Sequence, residues 1–222
     1  MYHVERGLIV REQQFASWEA GLRAAGIEAG ATTSQERVVR GVRYPVSLPS
    51  ERAAQRRTLD ERVFVRFSGL YRSLADALMR LLSRPQMRRF LLARLVRRAY
   101  AAANRRDFDF LLIGLDPAIE FHPRADLIAP DQDAVFYGHD GYREMWRTWL
   151  DAFEDLRLEP QEILDLGDKF LVAVQVRAHG SGSGVPMDQR MFQLFKLRQG
   201  LVVWQQDFGD RSEALEAAGL KK

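Results

Sequence analysis

The sequence predicts an α+β fold, with a helical first half followed by a long antiparallel meander whose one face is covered by helices. Three observations carry this. Four strand-like runs, Arg157–Leu166, Lys169–His179, Val185–Arg198 and Leu201–Phe208, follow one another with hairpin signals between them: Gly167-Asp168, Gly180 to Gly184, and Gln199-Gly200. Just before them, Tyr142, Met145, Trp146, Trp149 and Phe153 recur at helical spacing and form an apolar stripe. Finally, the run Val185–Arg198 is apolar on both sides, with Met191, Gln193, Phe195 and Leu197 on one and Phe192 and Leu194 on the other until Lys196. A strand of that kind needs both faces covered. Helices supply one cover; a second subunit or the N-terminal region is expected to supply the other.

In chain order, Gly7–Phe15 reads as a strand and Ser17–Ala25 as a short helix closed by Gly26. Residues 30–50 read as a linker. A helix-like pattern begins near Ser50, and Leu70, Leu74, Ala77, Leu78, Leu81 and Leu82 keep helical spacing until Pro85 breaks it. The next helix, about Gln86 to Ala103, has Phe90, Leu91, Leu95, Ala99 and Ala102 as its inward face. A short helix then holds Phe108, Leu111, Leu112 and Leu115, and short strands are expected at "PAIEFHP" and "DAVFYGH". A helix capped by Asp140 precedes the meander, and a last helix, Arg211–Ala218, ends at Gly219.

The N-terminal stretch has a second reading. Gly7–Ile27 aligns without a gap on Gly200–Leu220, with nine identities in 21 positions. It reads as a partial repeat, over residues 1–29, of the closing strand and helix. One strand and one short helix cannot bury a core alone, so the copy has to pack on this chain or on a neighbouring subunit.

Composition narrows the chemistry. The 222 residues contain no cysteine, which excludes disulfides, thiol catalysis and zinc–thiolate sites. No apolar run reaches the roughly 18–20 residues of a membrane span, and a cytoplasmic location is the default expectation. The net charge of +3 hides a basic block: Glu51 to Arg106 holds 15 arginines against 4 acidic residues. These arginines either dock on nucleic acid or an anionic membrane surface, or pair with acidic groups of the same chain. The glycine-rich "GSGSG" opens no helix and so is no phosphate cradle.

Four segments, "RRAYAAANRRDFDFLLIGLDPAIEFHP", "GHDGYREMWRTWLDAFEDL", "ILDLGDKFLVAVQVRAHGSGSG" and "GLVVWQQDFGDRSEALEAAGL", resemble a SnoaL-like domain of the nuclear transport factor 2-like, or ketosteroid-isomerase-like, superfamily. The resemblance covers residues 94–222 and leaves 51–93 as an arginine-rich helical extension. It implies a cone-shaped curved antiparallel sheet with helices on the concave face, enclosing an apolar pocket with one or two ionisable groups. The family includes isomerases, polyketide cyclases, hydrolases and non-catalytic binders, so fold alone does not fix the activity.

In the isomerase branch a carboxylate on the first strand moves a proton, and a tyrosine and a protonated acid hold the enolate oxygen. Carried onto this chain, the resemblance places His122 at the carboxylate position. An imidazole there can act as general acid–base near neutral pH; a hydrogen-bonded polar residue without catalytic duty is the alternative. The tyrosine position falls on Ala99, with Tyr100 facing elsewhere, and the second acid falls on Gln193. Strand alternation groups Gln175, Arg177 and His179 on one face and Trp204, Gln206 and Phe208 on another. The expected ligand contacts are therefore Trp146, Trp149, Gln175, Arg177, Gln193, Trp204 and Gln206. The expected ligand is a small apolar molecule, with no metal and no cofactor, and the expected assembly a homodimer. The rival expectation is a non-catalytic module that docks a partner, a membrane surface or nucleic acid through Glu51–Arg98.

Overall fold

The structure, a computed structural model, describes residues 2–5, 8–12, 41–48, 56–67, 69, 73, 85–124 and 135–220. The chain divides into two compact units, Met1–Val38 and Val39–Lys222. In the first, β1 (Tyr2–Glu5) and β2 (Leu8–Glu12) pair antiparallel. The strand expected over Gly7–Phe15 is therefore present from Leu8 to Glu12, with Tyr2–Glu5 as its partner. The expected helices Ser17–Ala25 and Leu70–Leu82 fall outside the described residues.

The second unit is built on an open seven-stranded sheet. Its strands are β3 (Val42–Pro45), β4 (Leu115–His122), β5 (Phe136–Tyr137), β6 (Phe153–Asp165), β7 (Lys169–Gly180), β8 (Pro186–Arg198) and β9 (Leu201–Phe208). They stand in the order β3-β6-β7-β8-β9-β4-β5. Neighbours are antiparallel except β4 and β9, which run parallel. The sheet is thus mixed rather than wholly antiparallel, because three hairpins after β6 reverse the chain three times and leave β9 running with β4. The β8–β9 hairpin turns on Gln199 and Gly200, with φ of 52° and 77°. Two successive positive φ values are the type I′ geometry that suits the strands' twist.

Residues expected to be linker join this sheet. Tyr44 and Val46 are buried, Val42–Pro45 pairs with Glu162–Asp165, and the Val46 amide donates to the Gln161 carbonyl at 2.9 Å. The alternation of Tyr44 and Val46 gives the segment one face to bury, which a free linker lacks.

Among the described residues the unit also has five helices: α1 (Leu59–Arg66), α2 (Pro85–Asn104), α3 (Phe108–Ile113), α4 (Gly138–Ala152) and α5 (Arg211–Ala217). Pro85 opens α2, where its missing N–H costs nothing. The buried face of α2 is Leu92, Val96, Tyr100 and Ala103, while Phe90 is 60% exposed. Of the expected stripe, Ala102 is fully buried and Leu91, Leu95 and Ala99 are half-buried, so the inward face is wider than expected rather than different, and Phe90 alone turns out. α4 begins two residues before Asp140, which is exposed and pairs with Arg143. It ends before Phe153, which starts β6 instead of extending the helical stripe.

Both faces of the sheet are covered within one chain. Ile119, Phe121, Val172, Val174 and Met191 pack with Leu92, Val96, Met145, Trp146 and Trp149 on the side of α2, α3 and α4. On the opposite side, Leu164, Leu171, Ala173, Phe192, Leu194 and Phe208 pack with Ala214 and Ala218 of α5 and its following turn. That helix supplies a cover for the outer apolar patch from within the chain. Asp210 caps it, accepting from the Ser212 and Glu213 amides at 2.7 and 3.1 Å.

The first half of β6 has an unusual edge. Asn104, the last residue of α2, donates from Nδ2 to the Leu158 carbonyl at 3.0 Å and accepts from the Leu158 amide at 2.9 Å. Arg106 donates to the Leu156 carbonyl at 2.9 Å. Two side chains thus do the work of a neighbouring strand and blunt the edge. Asn104→Ala is expected to cost about 1–3 kcal/mol by stranding both Leu158 groups. Urea unfolding, with faster amide exchange at Leu158, checks this.

The basic block is tied into the same unit. Arg57 donates from Nε to Asp107 at 2.6 Å, Arg88 donates to Asp165 at 2.8 Å, and Arg94 and Arg98 both reach Asp60. Arg105 joins Glu61 at 2.9 Å to Asp107 at 3.1 Å. Of the two sequence readings, pairing with acids of the same chain is the one seen at these five positions. Residues 56–67 and 85–93, expected as an extension, are packed and paired with the rest of the unit.

Candidate functional site

Between the helix-covered face of the sheet and α2, α3 and α4 lies a cavity of about 130 Å³. Its walls are mostly apolar: Leu92 and Val96 of α2, Phe110 and Leu111 of α3, Met145, Trp146 and Trp149 of α4, and Phe121, Phe195 and Leu197 of the sheet. Asp207 is the one charged residue in that lining among the described residues.

Asp207 is 4% exposed and is held from one side only. Its Oδ1 accepts hydrogen bonds from Gln193 Nε2 at 2.8 Å and Gln205 Nε2 at 3.0 Å. Its Oδ2 is buried with no hydrogen-bond partner. Burial pushes the carboxyl up to about 7, against the pull of the two amide donors and the charge of Arg124. Gln193 is oriented in turn by Tyr100, whose hydroxyl donates to Gln193 Oε1 at 2.5 Å. Since the amide oxygen accepts from Tyr100, the amide nitrogen faces Asp207. Burial raises the Tyr100 phenol well above its ordinary value, so it stays a donor, and pushes Tyr142 up to about 12.

This chain of bonds gives Tyr100 a positioning role. Tyr100→Phe frees the Gln193 amide to rotate and weakens its support of the carboxylate. The Asp207 pKa is then expected to rise by about half to one unit. Titration of the Asp207 carboxyl carbon by ¹³C NMR measures this, and an unchanged value would show that the amide is held by other means.

The sequence-derived site separates into two groups. Trp146, Trp149 and Gln193 line the cavity. His122, Gln175, Arg177, Trp204 and Gln206 stand on the other side of the sheet. In β4, Ile119 and Phe121 enter the helix-covered core while Glu120 and His122 alternate away from it. His122 Nε2 lies 2.5 Å from Glu120 Oε1, and its ring is 5.5 Å from Trp204, which packs beside the α5 cluster. Lys196 sits 3.9 Å over the Trp204 ring. Gln175 bonds Asp188 at 2.5 Å, and Arg177 joins Glu159 at 2.9 Å to Asp188 at 3.5 Å. Tyr100, expected to face elsewhere, lines the cavity beside Ala99, because the inward face of α2 is wide enough to take in both.

A single β-bulge reverses the faces expected for β9. Leu197 pairs with Val202, and regular pairing from there would place Gln206 opposite Gln193 and turn Trp204, Gln206 and Phe208 to the cavity. The register slips between Lys196 and Leu197, so that Lys196 meets Trp204 and Gln193 meets Asp207. One extra residue exchanges the faces of everything beyond it. Sequence reasoning therefore misses Asp207, although the tripeptide Gln205-Gln206-Asp207 puts an amide and an acid at i and i+2, a spacing that shares one strand face.

The geometry defines a class: an α+β sheet-and-helix cone that encloses an apolar cavity around one buried acid. Residues 96–205 match the family model of the SnoaL-like domain, and the chain carries that domain there. Among curated proteins none matches the chain. Solved structures similar to it include a nuclear transport factor 2-like protein of unknown function from Burkholderia pseudomallei, 24% identical over 55% of this chain and 92% of that one, with a TM-score of 0.47. IdmH of Streptomyces antibioticus, a candidate polyketide cyclase, is 20% identical over 55% and 93%, with a TM-score of 0.44. A protein of ketosteroid isomerase-like fold from Catenulispora acidiphila, in complex with trimethylamine, is 17% identical over 55% and 89%, also with a TM-score of 0.44.

Proposed function

We propose that this chain is an acid–base enzyme of the isomerase, cyclase or hydrolase type, acting on a small, mainly apolar molecule, with Asp207 giving and taking the proton. The observation that carries this reading is the buried Asp207 carboxyl, one oxygen of which is held by two amides while the other has no partner. With its pKa at about 7, both protonation states are populated at neutral pH. That is the condition in which a carboxyl serves best as base in one step and acid in the next. Oδ1 stays fixed by Gln193 and Gln205, which leaves Oδ2 to receive the proton. The apolar walls keep water from competing for it and sustain the raised pKa.

His122 is not part of this mechanism, since the sheet separates it from the cavity. The test is proton exchange: a panel of small ketones is incubated with the protein in D₂O, and incorporation of deuterium next to the carbonyl is followed by NMR. Protein-dependent exchange that is lost in Asp207→Asn and retained in His122→Asn is the expected result. Exchange that survives in Asp207→Asn would overturn the assignment.

A further inference from the structure

Resting on the reading of Asp207 as the proton carrier, the remaining cavity defines what is carried to it. We infer that the buried part of the ligand is a single ring bearing a neutral carbonyl oxygen, and that the oxygen is received by the indole N–H of Trp149. Two observations other than acidity lead here. The first is size. A cavity of about 130 Å³ is comparable with an engineered apolar cavity of roughly 150 Å³ that takes one benzene. A fused four-ring skeleton cannot be enclosed in it. The second is an inventory of unpaired polar atoms. Trp149 is 2% exposed, lines the cavity, and its Nε1 has no hydrogen-bond partner, as is true of Asp207 Oδ2. The lining holds a third such atom, Trp146 Nε1, but that indole acts on the Tyr142 phenol, whose pKa burial raises and the indole lowers. Buried donors without partners are rare, and Trp149 Nε1 and Asp207 Oδ2 are left to a ligand that satisfies both.

The charge pattern narrows the class. No cationic side chain is found in the cavity lining among the described residues, so a ligand carboxylate would face Asp207 without a counter-charge. A neutral ketone fits instead: its oxygen accepts from the indole, its ring meets Phe121, Trp146 and Phe195, and its acidic C–H is presented to Asp207.

The test compares three probes by calorimetry: acetophenone, its hydrocarbon counterpart ethylbenzene, and the four-ring ketone progesterone. Acetophenone is expected to bind, and its advantage relative to ethylbenzene should fall by about 5- to 10-fold in Trp149→Phe, the loss of one buried hydrogen bond. Progesterone should neither bind nor displace it. An unchanged ratio in Trp149→Phe, or displacement by progesterone at similar concentration, overturns the inference. Should that variant fail to fold, the ¹⁵N-labelled indole resonance of Trp149 in the native protein decides: it must shift with acetophenone and not with ethylbenzene. Deuterium exchange at the acetophenone methyl group reads the role of Asp207 separately. Oxygen-selective binding without exchange would leave this inference standing and remove the proton-carrier reading; exchange without Trp149 dependence would do the reverse.

Discussion

Asp207→Asn is expected to abolish proton exchange while making the protein more stable at pH 8. The loss of a positioned general base is worth about 10²- to 10⁴-fold in rate. The gain in stability follows from the direction in which the pKa moves on folding. An aspartate titrates near about 3.9 in the unfolded chain, and here burial pushes it up to about 7. The folded state therefore binds the proton more tightly. Stability is greatest below the unfolded value, declines as pH rises from about 4 to about 7, and is level above that. A rise of this size sets an upper bound of roughly 4 kcal/mol on the cost of the buried charge. Asparagine carries no such cost and can still accept from Gln193 and Gln205. Urea unfolding at pH 4.5 and pH 8 should show a variant close to wild type in acid and roughly 2 to 4 kcal/mol more stable in base. A variant that is destabilised at pH 8 would mean that the carboxylate is solvated after all.

The second large effect concerns the ion-pair cluster that joins α1 to α2 and α3. Asp107, with a side chain 6% exposed, accepts from Arg57 and Arg105 and also from the Phe110 amide at the start of α3. Burial alone would raise its pKa, but Arg57, the Phe110 amide and Arg105 together hold it below the ordinary value. Asp107→Ala takes from Arg105, 11% exposed, one of the acids it pairs with, and removes the cap of α3. Breaking a buried pair in this way is expected to cost about 3–5 kcal/mol. Since the folded pKa is lowered, the contribution is complete above the unfolded value of about 3.9 and is lost as pH falls through the folded one. The gap between wild type and variant should therefore close in acid. If residues 56–67 were an independent extension, the variant would loosen α1 and leave the melting of the rest unchanged; a fall in both is the expected result.

Much of the architecture is legible without coordinates. The strands Lys169–Gly180, Pro186–Arg198 and Leu201–Phe208 follow from alternation bounded by turn residues, and that signal is local. Trp146 and Trp149 face inward, as expected, because only one face of α4 is apolar. Where the local signal is degenerate, the expectation fails. α2 offers apolar residues around much of its circumference, so the width of its inward face, and with it the place of Tyr100, depends on what it packs against. β3 is only four residues long, and its partner lies about 120 residues away in β6.

The candidate site shows the division most clearly. The residue pattern alone specifies a SnoaL-like α+β domain, a shared face for Gln193, Phe195 and Leu197, and no thiol chemistry. That Asp207, and not His122, lies at the cavity follows only from how the strands pair. The physical reason is a β-bulge between β8 and β9, where one residue out of step reverses the facing of every side chain beyond it. Periodicity tells which residues share a face; the register of pairing, set by contacts between strands, tells which face is inside.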